Sequence, residues 1–152
     1  MDRINGFKAA LAAVCAALTA LWGWFGWLVV AWIVAMAIDY ITGSGAAVKS
    51  GEWSAQKARE GIWHKAGCIA AVVMAGLLDM VVGQILANLP SVTLPFTYTV
   101  FLCPLVVFWY ILTEAGSIVE NVGAMGAPVP EWLKKAIAAL QDKVDETAGK
   151  TE

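Results

Sequence analysis

From Ala66 to Thr113 the chain reads AGCIAAVVMAGLLDMVVGQILANLPSVTLPFTYTVFLCPLVVFWYILT, 48 residues in which Asp79 carries the one formal charge. Hydrocarbon about 30 Å thick is crossed by about 20 mostly apolar residues rising about 1.5 Å each. The stretch therefore holds two spans, one over about Ala66 to Ala87 and one beginning near Phe96, with Asn88-Leu89-Pro90 and Pro95 supplying the turn between them. A second charge-free run of 30 residues extends from Ala9 to Ile38. The 152 residues are 60% hydrophobic and 14% charged, whereas soluble domains run at about 45–50% apolar and about 25% charged. The mean hydropathy is +0.70. These features predict an all-α integral membrane protein, because only helices or closed barrels satisfy their backbone in lipid.

The segment from Ile4 to Thr42 is interrupted by Trp22-Gly23-Trp24-Phe25-Gly26-Trp27, two glycines that weaken a helix among four aromatics that prefer the lipid-water interface. It reads as a helical hairpin with arms over Ile4 to Trp22 and Gly26 to Ile41. One steeply tilted helix is the alternative, giving three spans in place of four. The opening Met-Asp-Arg-Ile-Asn-Gly-Phe-Lys is followed by an apolar run longer than a signal-peptide core, so the first segment is expected to stay in the protein. Gly43-Ser44-Gly45 should end the second arm, and Ser54 suits the N-cap of a helix continuing into the next span. Pro104 should kink the fourth. Residues 1–122 then form the transmembrane domain, 123–130 a Gly/Pro linker, and 131–152 a cytoplasmic amphipathic helix and tail with Pro130 opening the helix. Trp132, Leu133, Ala136, Ile137, Leu140 and Val144 form its apolar stripe, suited to lying on the membrane surface or pairing with a copy.

All ten basic residues fall into three groups: Arg3 and Lys8; Lys49, Lys57, Arg59 and Lys65; Lys134, Lys135, Lys143 and Lys150. The Trp-rich turn and residues 88–95 have none. Four spans place every one of them on the same side, so the positive-inside rule predicts that both termini are cytoplasmic.

Asp79 lies near mid-membrane, where a carboxylate costs about 2.5–3.5 kcal/mol. It reads either as a polar contact or protonatable group lining a helix interface or pore, or as a carboxyl kept neutral and hydrogen-bonded to a neighbour. In both cases it acts through hydrogen bonding more than through charge. Gly67, Ala71, Ala75, Asp79 and Gly83 recur every fourth residue, a row of small side chains that lets another helix approach closely. Asp39 stands at a helix C-terminal end, where negative charge opposes the dipole, and reads either as the partner of a cation such as Lys65 or Arg59 or as a solvated interfacial carboxylate. Glu114, Ser117 and Asn121, with Tyr110 and Thr113 before them, share one face of the last span, and Glu120 lies close by.

Nothing assembles a catalytic site. His64 is the one histidine and has no second ligand at helical spacing. There is no Gly-rich phosphate loop or nucleophile elbow. Cys15, Cys68 and Cys103 lie in apolar runs without metal spacing and read as buried small hydrophobes. The basic residues follow topology and form no nucleic-acid patch. No cofactor, metal or nucleic acid is expected.

Several blocks, in order, resemble the bacteriophage holin family, which includes clostridial toxin-release holins: Asp39-Tyr40-Ile41-Thr42-Gly43; Gly61-Ile62-Trp63-His64-Lys65; Asp79; Glu114-Ala115-Gly116-Ser117-Ile118-Val119-Glu120-Asn121; and Gly126-Ala127-Pro128-Val129-Pro130. Many members carry an acidic residue where this chain has Trp27, and an arginine entering the last span, where this chain is uncharged. The resemblance implies a homo-oligomer in the lipid bilayer of a bacterial host's cytoplasmic membrane. It also implies that the protein permeabilises this membrane at a set time to release a peptidoglycan hydrolase or a toxin. A small ion or solute transporter and a passive membrane scaffold subunit are the alternatives from other classes.

Overall fold

The computed structural model describes residues 6, 25–89 and 100–149, the last three without their side chains. Four helices and no strands are present among the described residues: α1 over Gly26–Ser50, α2 over Ala55–Asn88, α3 over Leu102–Ala124 and α4 over Glu131–Gly149. Of these, α1, α2 and α3 are long and apolar enough to cross a membrane. The first hairpin arm and the turn at Pro90 and Pro95 lie outside the described residues, as does the choice between a hairpin and one tilted helix.

The helix α1 does not stop at Gly43-Ser44-Gly45 but continues to Ser50. Those glycines serve close packing. A Cβ on Gly43 would stand 3.3 Å from Asn121 Nδ2, and one on Gly45 would stand 3.3 Å from Met125 Cε. The actual stop is Gly51, whose φ of 73° is open to glycine and whose N–H reaches back to Val48, while the N–H of Glu52 reaches Ala47. Three residues after Gly51, Ser54 caps α2, its Oγ accepting the N–H of Lys57 at 3.1 Å. The predicted linker is shorter than 123–130, since α3 runs to Ala124.

Pro104 produces no interior kink. It is the third residue of α3, in the first turn, where a helical N–H has no intrahelical acceptor to lose. The span also starts later than Phe96, at Leu102.

At the centre stands α3, packed on each of the other three helices, whereas α1 and α2 barely meet. It runs parallel to α1, with Trp32 stacked on Tyr110 at 5.7 Å and Gly43 level with Asn121. It runs antiparallel to α2. Cys68, Val72, Ala75 and Asp79 recur at helical spacing on the buried face of α2, and Cys103 and Val107 are buried on α3. Most other large side chains of α1 and α2 point outward: Ile33, Val34, Ile38, Met74, Leu78 and Val81 are all exposed, the inverse of a soluble bundle and the surface that lipid requires.

The helix α4 neither stands free nor presents its whole stripe to a second surface. It lies back along α3, with Ile137 buried opposite Gly116 and the Trp109 indole N–H donating to Asp145 at 2.8 Å. The rest of the stripe is left over, with Trp132 69% exposed and Leu140 47% exposed.

Candidate functional site

Two polar centres interrupt the apolar bundle. The first forms where the apolar stretch of each span ends. Lys65 Nζ lies 2.9 Å from Asp39 Oδ2 and 2.6 Å from Glu114 Oε2, so one ammonium ties α1, α2 and α3 together. Asn121 extends the network, its Nδ2 donating to Asp39 Oδ1 at 3.0 Å and reaching Thr42 Oγ1 at 3.4 Å. Thr42 also donates back to its own helix at Ile38. Glu114 is 6% exposed, a burial that a carboxylate sustains only when a cation and hydrogen bonds replace its hydration. Of the two cations expected for Asp39, Lys65 reaches it, and Arg59 stays exposed.

Asp79 forms the second centre, 4% exposed. Its Oδ1 accepts the N–H groups of Phe101 at 3.2 Å and Leu102 at 2.9 Å, and its Oδ2 accepts that of Cys103 at 2.7 Å. This carboxylate is the N-cap of another helix. The residue at α3's own N-cap is Phe101, which has no capping side chain. At about 1.5 Å per residue, Asp79 lies about 21 Å along α2 from Lys65, still within hydrocarbon about 30 Å thick if Lys65 marks one edge. A helix that begins inside a membrane has its first N–H groups far from water, and each needs an acceptor. Asp79 supplies one to three of them and places negative charge at the positive end of the dipole. Asp79 is thus bonded to three N–H groups and not to a single neighbour.

The row of small residues divides. Ala75 and Asp79 are buried against α3, while Gly67 and Ala71 are exposed, and a Cβ on Gly67 or Gly83 would meet nothing within 4 Å. Four-residue spacing drifts about 40° per step around a helix of 3.6 residues per turn, so the row turns into the α3 contact only at Ala75 and Asp79. Among the other expected residues, Ser117 is half-buried, Tyr40 is at the surface beside Asp39, and Glu120 is exposed and does not join the Lys65 cluster. Cys68 and Cys103 are buried free thiols; Cys15 lies outside the described residues. No group of three His, Cys, Asp or Glu side chains is placed to hold a metal among the described residues.

Sequence reasoning located Asp79 but not its partners. Backbone N–H groups carry no residue signature, and the only available signal was an uncapped helix start close to a stranded carboxylate. The Trp109 to Asp145 bond was likewise missed, because it depends on α4 folding back.

A model of the bacteriophage holin family matches residues 16–142. An uncharacterized protein of Halalkalibacterium halodurans is 33% identical over 134 residues, covering 88% of this chain and 93% of the relative. An uncharacterized 14.9 kDa protein in the nagH 3' region of Clostridium perfringens is 31% identical over 126 residues, covering 78% and 86%. A third, from Listeria monocytogenes, is 31% identical over 108 residues, covering 71% and 67%. No solved structure matches.

Proposed function

Because the chain belongs to the bacteriophage holin family, we propose that it accumulates in the cytoplasmic membrane of a bacterial host, oligomerises there, and at a set time permeabilises the membrane so that a peptidoglycan hydrolase or toxin leaves the cell. The family match, which takes in all three apolar helices and their two polar centres, carries this reading. The physical arrangement supports it. The Lys65 cluster and the Asp79 cap lock α1, α2 and α3 into a protomer whose outer surface is apolar, a unit that can move in lipid and meet its copies without unfolding. Gly67 and Ala71, left on that surface, are the proposed contact between copies, while Ala75 and Asp79 act inside the protomer.

The ends of α1 and α3 and the start of α2 share one side of the bundle, as the contact between the Lys49 ammonium and the Met125 carbonyl requires. Lys49, Lys57, Arg59, Lys134 and Lys135 gather toward that side, which we assign to the cytoplasm. Fusion of alkaline phosphatase after Glu152 should give little activity, and high activity would invert the topology.

The decisive experiment is induced expression in a bacterium beside a cytoplasmic muralytic enzyme. The protein should accumulate harmlessly, then abruptly collapse the membrane potential, and the culture should clear only after that moment. Steady growth at high membrane levels, with the enzyme retained, would exclude a lytic role. Replacing Ala71 with Leu should lower the yield of cross-linked oligomers and delay lysis. Unchanged oligomers would return that face to lipid.

A further inference from the structure

Where α1 and α2 separate, the cleft between them is polar at one depth and apolar at the next. Beyond Lys65, on the side away from the bundle's apolar stretch, lies a cavity of about 180 Å³ lined by Tyr40, Ser44, Trp53, Ser54 and Lys57. Asp39 also borders it, but its charge is already met by Lys65 and Asn121. On the apolar side of Lys65 lies a groove of about 360 Å³, walled by Met36, Ala37, Ile62, Ala66 and Ile69. Tyr40 and Lys65 line both, so the two spaces adjoin at the level where the apolar stretch ends.

We infer that this cleft binds an anionic phospholipid of the leaflet at the Lys65 end, with its phosphodiester in the polar cavity and one acyl chain in the groove. The layering matches that of the molecule: donors and a cation at headgroup depth, then an unbroken apolar wall below. Charge selects the headgroup. Lys65 is taken up by Asp39 and Glu114, which leaves Lys49, Lys57 and Arg59 of residues 49–64 against Glu52 and Glu60. Lys57 is held only by an exposed pair with Glu52 at 3.5 Å, a contact weak enough to yield to a phosphate. The Tyr40 and Ser44 hydroxyls and the Trp53 indole supply neutral donors at the rim, and Trp and Tyr suit that depth. The site depends on the bundle's membrane setting and not on lysis.

The test is reconstitution of the full chain into phosphatidylcholine vesicles carrying a trace of spin-labelled phosphatidylglycerol or spin-labelled phosphatidylcholine, with the motionally restricted fraction giving relative affinity. Phosphatidylglycerol should be preferred. Lys57→Gln should reduce that preference about fivefold, the effect of one lysine near an anionic surface. Ala66→Trp, which fills the groove from an exposed position, should abolish the selective component while leaving the unselective lipid annulus. Soluble glycerophosphate at millimolar levels should fail to compete, since it lacks the chain. Equal preference in the wild type and Lys57→Gln would overturn the site, as would full competition by glycerophosphate. So would a disulfide between an Ile69→Cys variant and Cys15 within one chain, which would assign the groove to the protein's first apolar segment. No lysis is measured in these vesicles, so this result and the lytic reading succeed or fail separately.

Discussion

Asp79 and Glu114 are both buried acidic side chains, and their charges are met in opposite ways. Glu114 faces a lysine from another helix, with Asp39 sharing the same ammonium. Asp79 accepts three backbone N–H groups at the start of α3. In one centre every partner is a side chain that substitution can alter. In the other these three donors belong to the main chain and stay whatever the sequence becomes. Rescue should therefore be possible at one centre and not at the other.

The largest effect is expected from Asp79→Leu. Three N–H groups lose their acceptor in a place water does not reach, each at about 1–3 kcal/mol, and competing partners in the membrane-bound unfolded state reduce the sum to about 4 kcal/mol. Unfolding in mixed micelles, followed by circular dichroism, measures it. Lys65→Met comes next, at about 3 kcal/mol, because it leaves Asp39 and Glu114 side by side without a cation. Here the comparison can be broken or sharpened. The triple change Asp39→Asn, Lys65→Met and Glu114→Leu should recover most of that loss, as removing a whole buried ionic group often does. No second substitution should rescue Asp79→Leu. Rescue of both, or of neither, would erase the distinction.

Asp79→Asn should cost about 2 kcal/mol. Its oxygen still accepts, but its Nδ2 would confront the Cys103 N–H, donor against donor. Wild-type stability in this variant would mean that two hydrogen bonds suffice and that the charge is dispensable. Asn121→Ala, which removes the bonds to Asp39 and Thr42, should cost about 1 kcal/mol. The smallest effect belongs to Trp109→Phe, at about 0.5 kcal/mol, since one hydrogen bond between helices, to Asp145, is lost. It should register as faster proteolysis of α4 with the bundle intact.

The same contrast explains what the sequence disclosed. The spans of α2 and α3, the Ser54 cap and the pairing of Asp39 with Lys65 all follow from composition, local spacing and charge, each of which a linear reading can weigh. The end of α1 was misplaced because Gly43 and Gly45 have two physical meanings. They permit a helix to stop, and they permit another helix to come close; only the presence of Asn121 and Met125 opposite them decides for the second. Pro104 was misread for a similar reason, since its effect depends on whether it falls in the first turn or the interior, and the start of α3 is set by Asp79 from a distance. The row from Gly67 to Gly83 is regular in the sequence, but helical drift sends its members to different surroundings, Ala75 and Asp79 to α3 and Gly67 and Ala71 to the outside.

The borrowed cap also bears on how the protein is made. Emerging alone into the bilayer, α2 would carry a stranded carboxylate, at a cost of about 2.5–3.5 kcal/mol. Emerging alone, α3 would carry bare N–H groups at its leading turn. Each helix is the other's remedy, so the two should leave the translocon as a pair, with α2 waiting at the exit until α3 has been synthesised. Biogenesis, on this view, is committed in units of hairpins, and a chain truncated between Asn88 and Leu102 should insert poorly although its last span is complete.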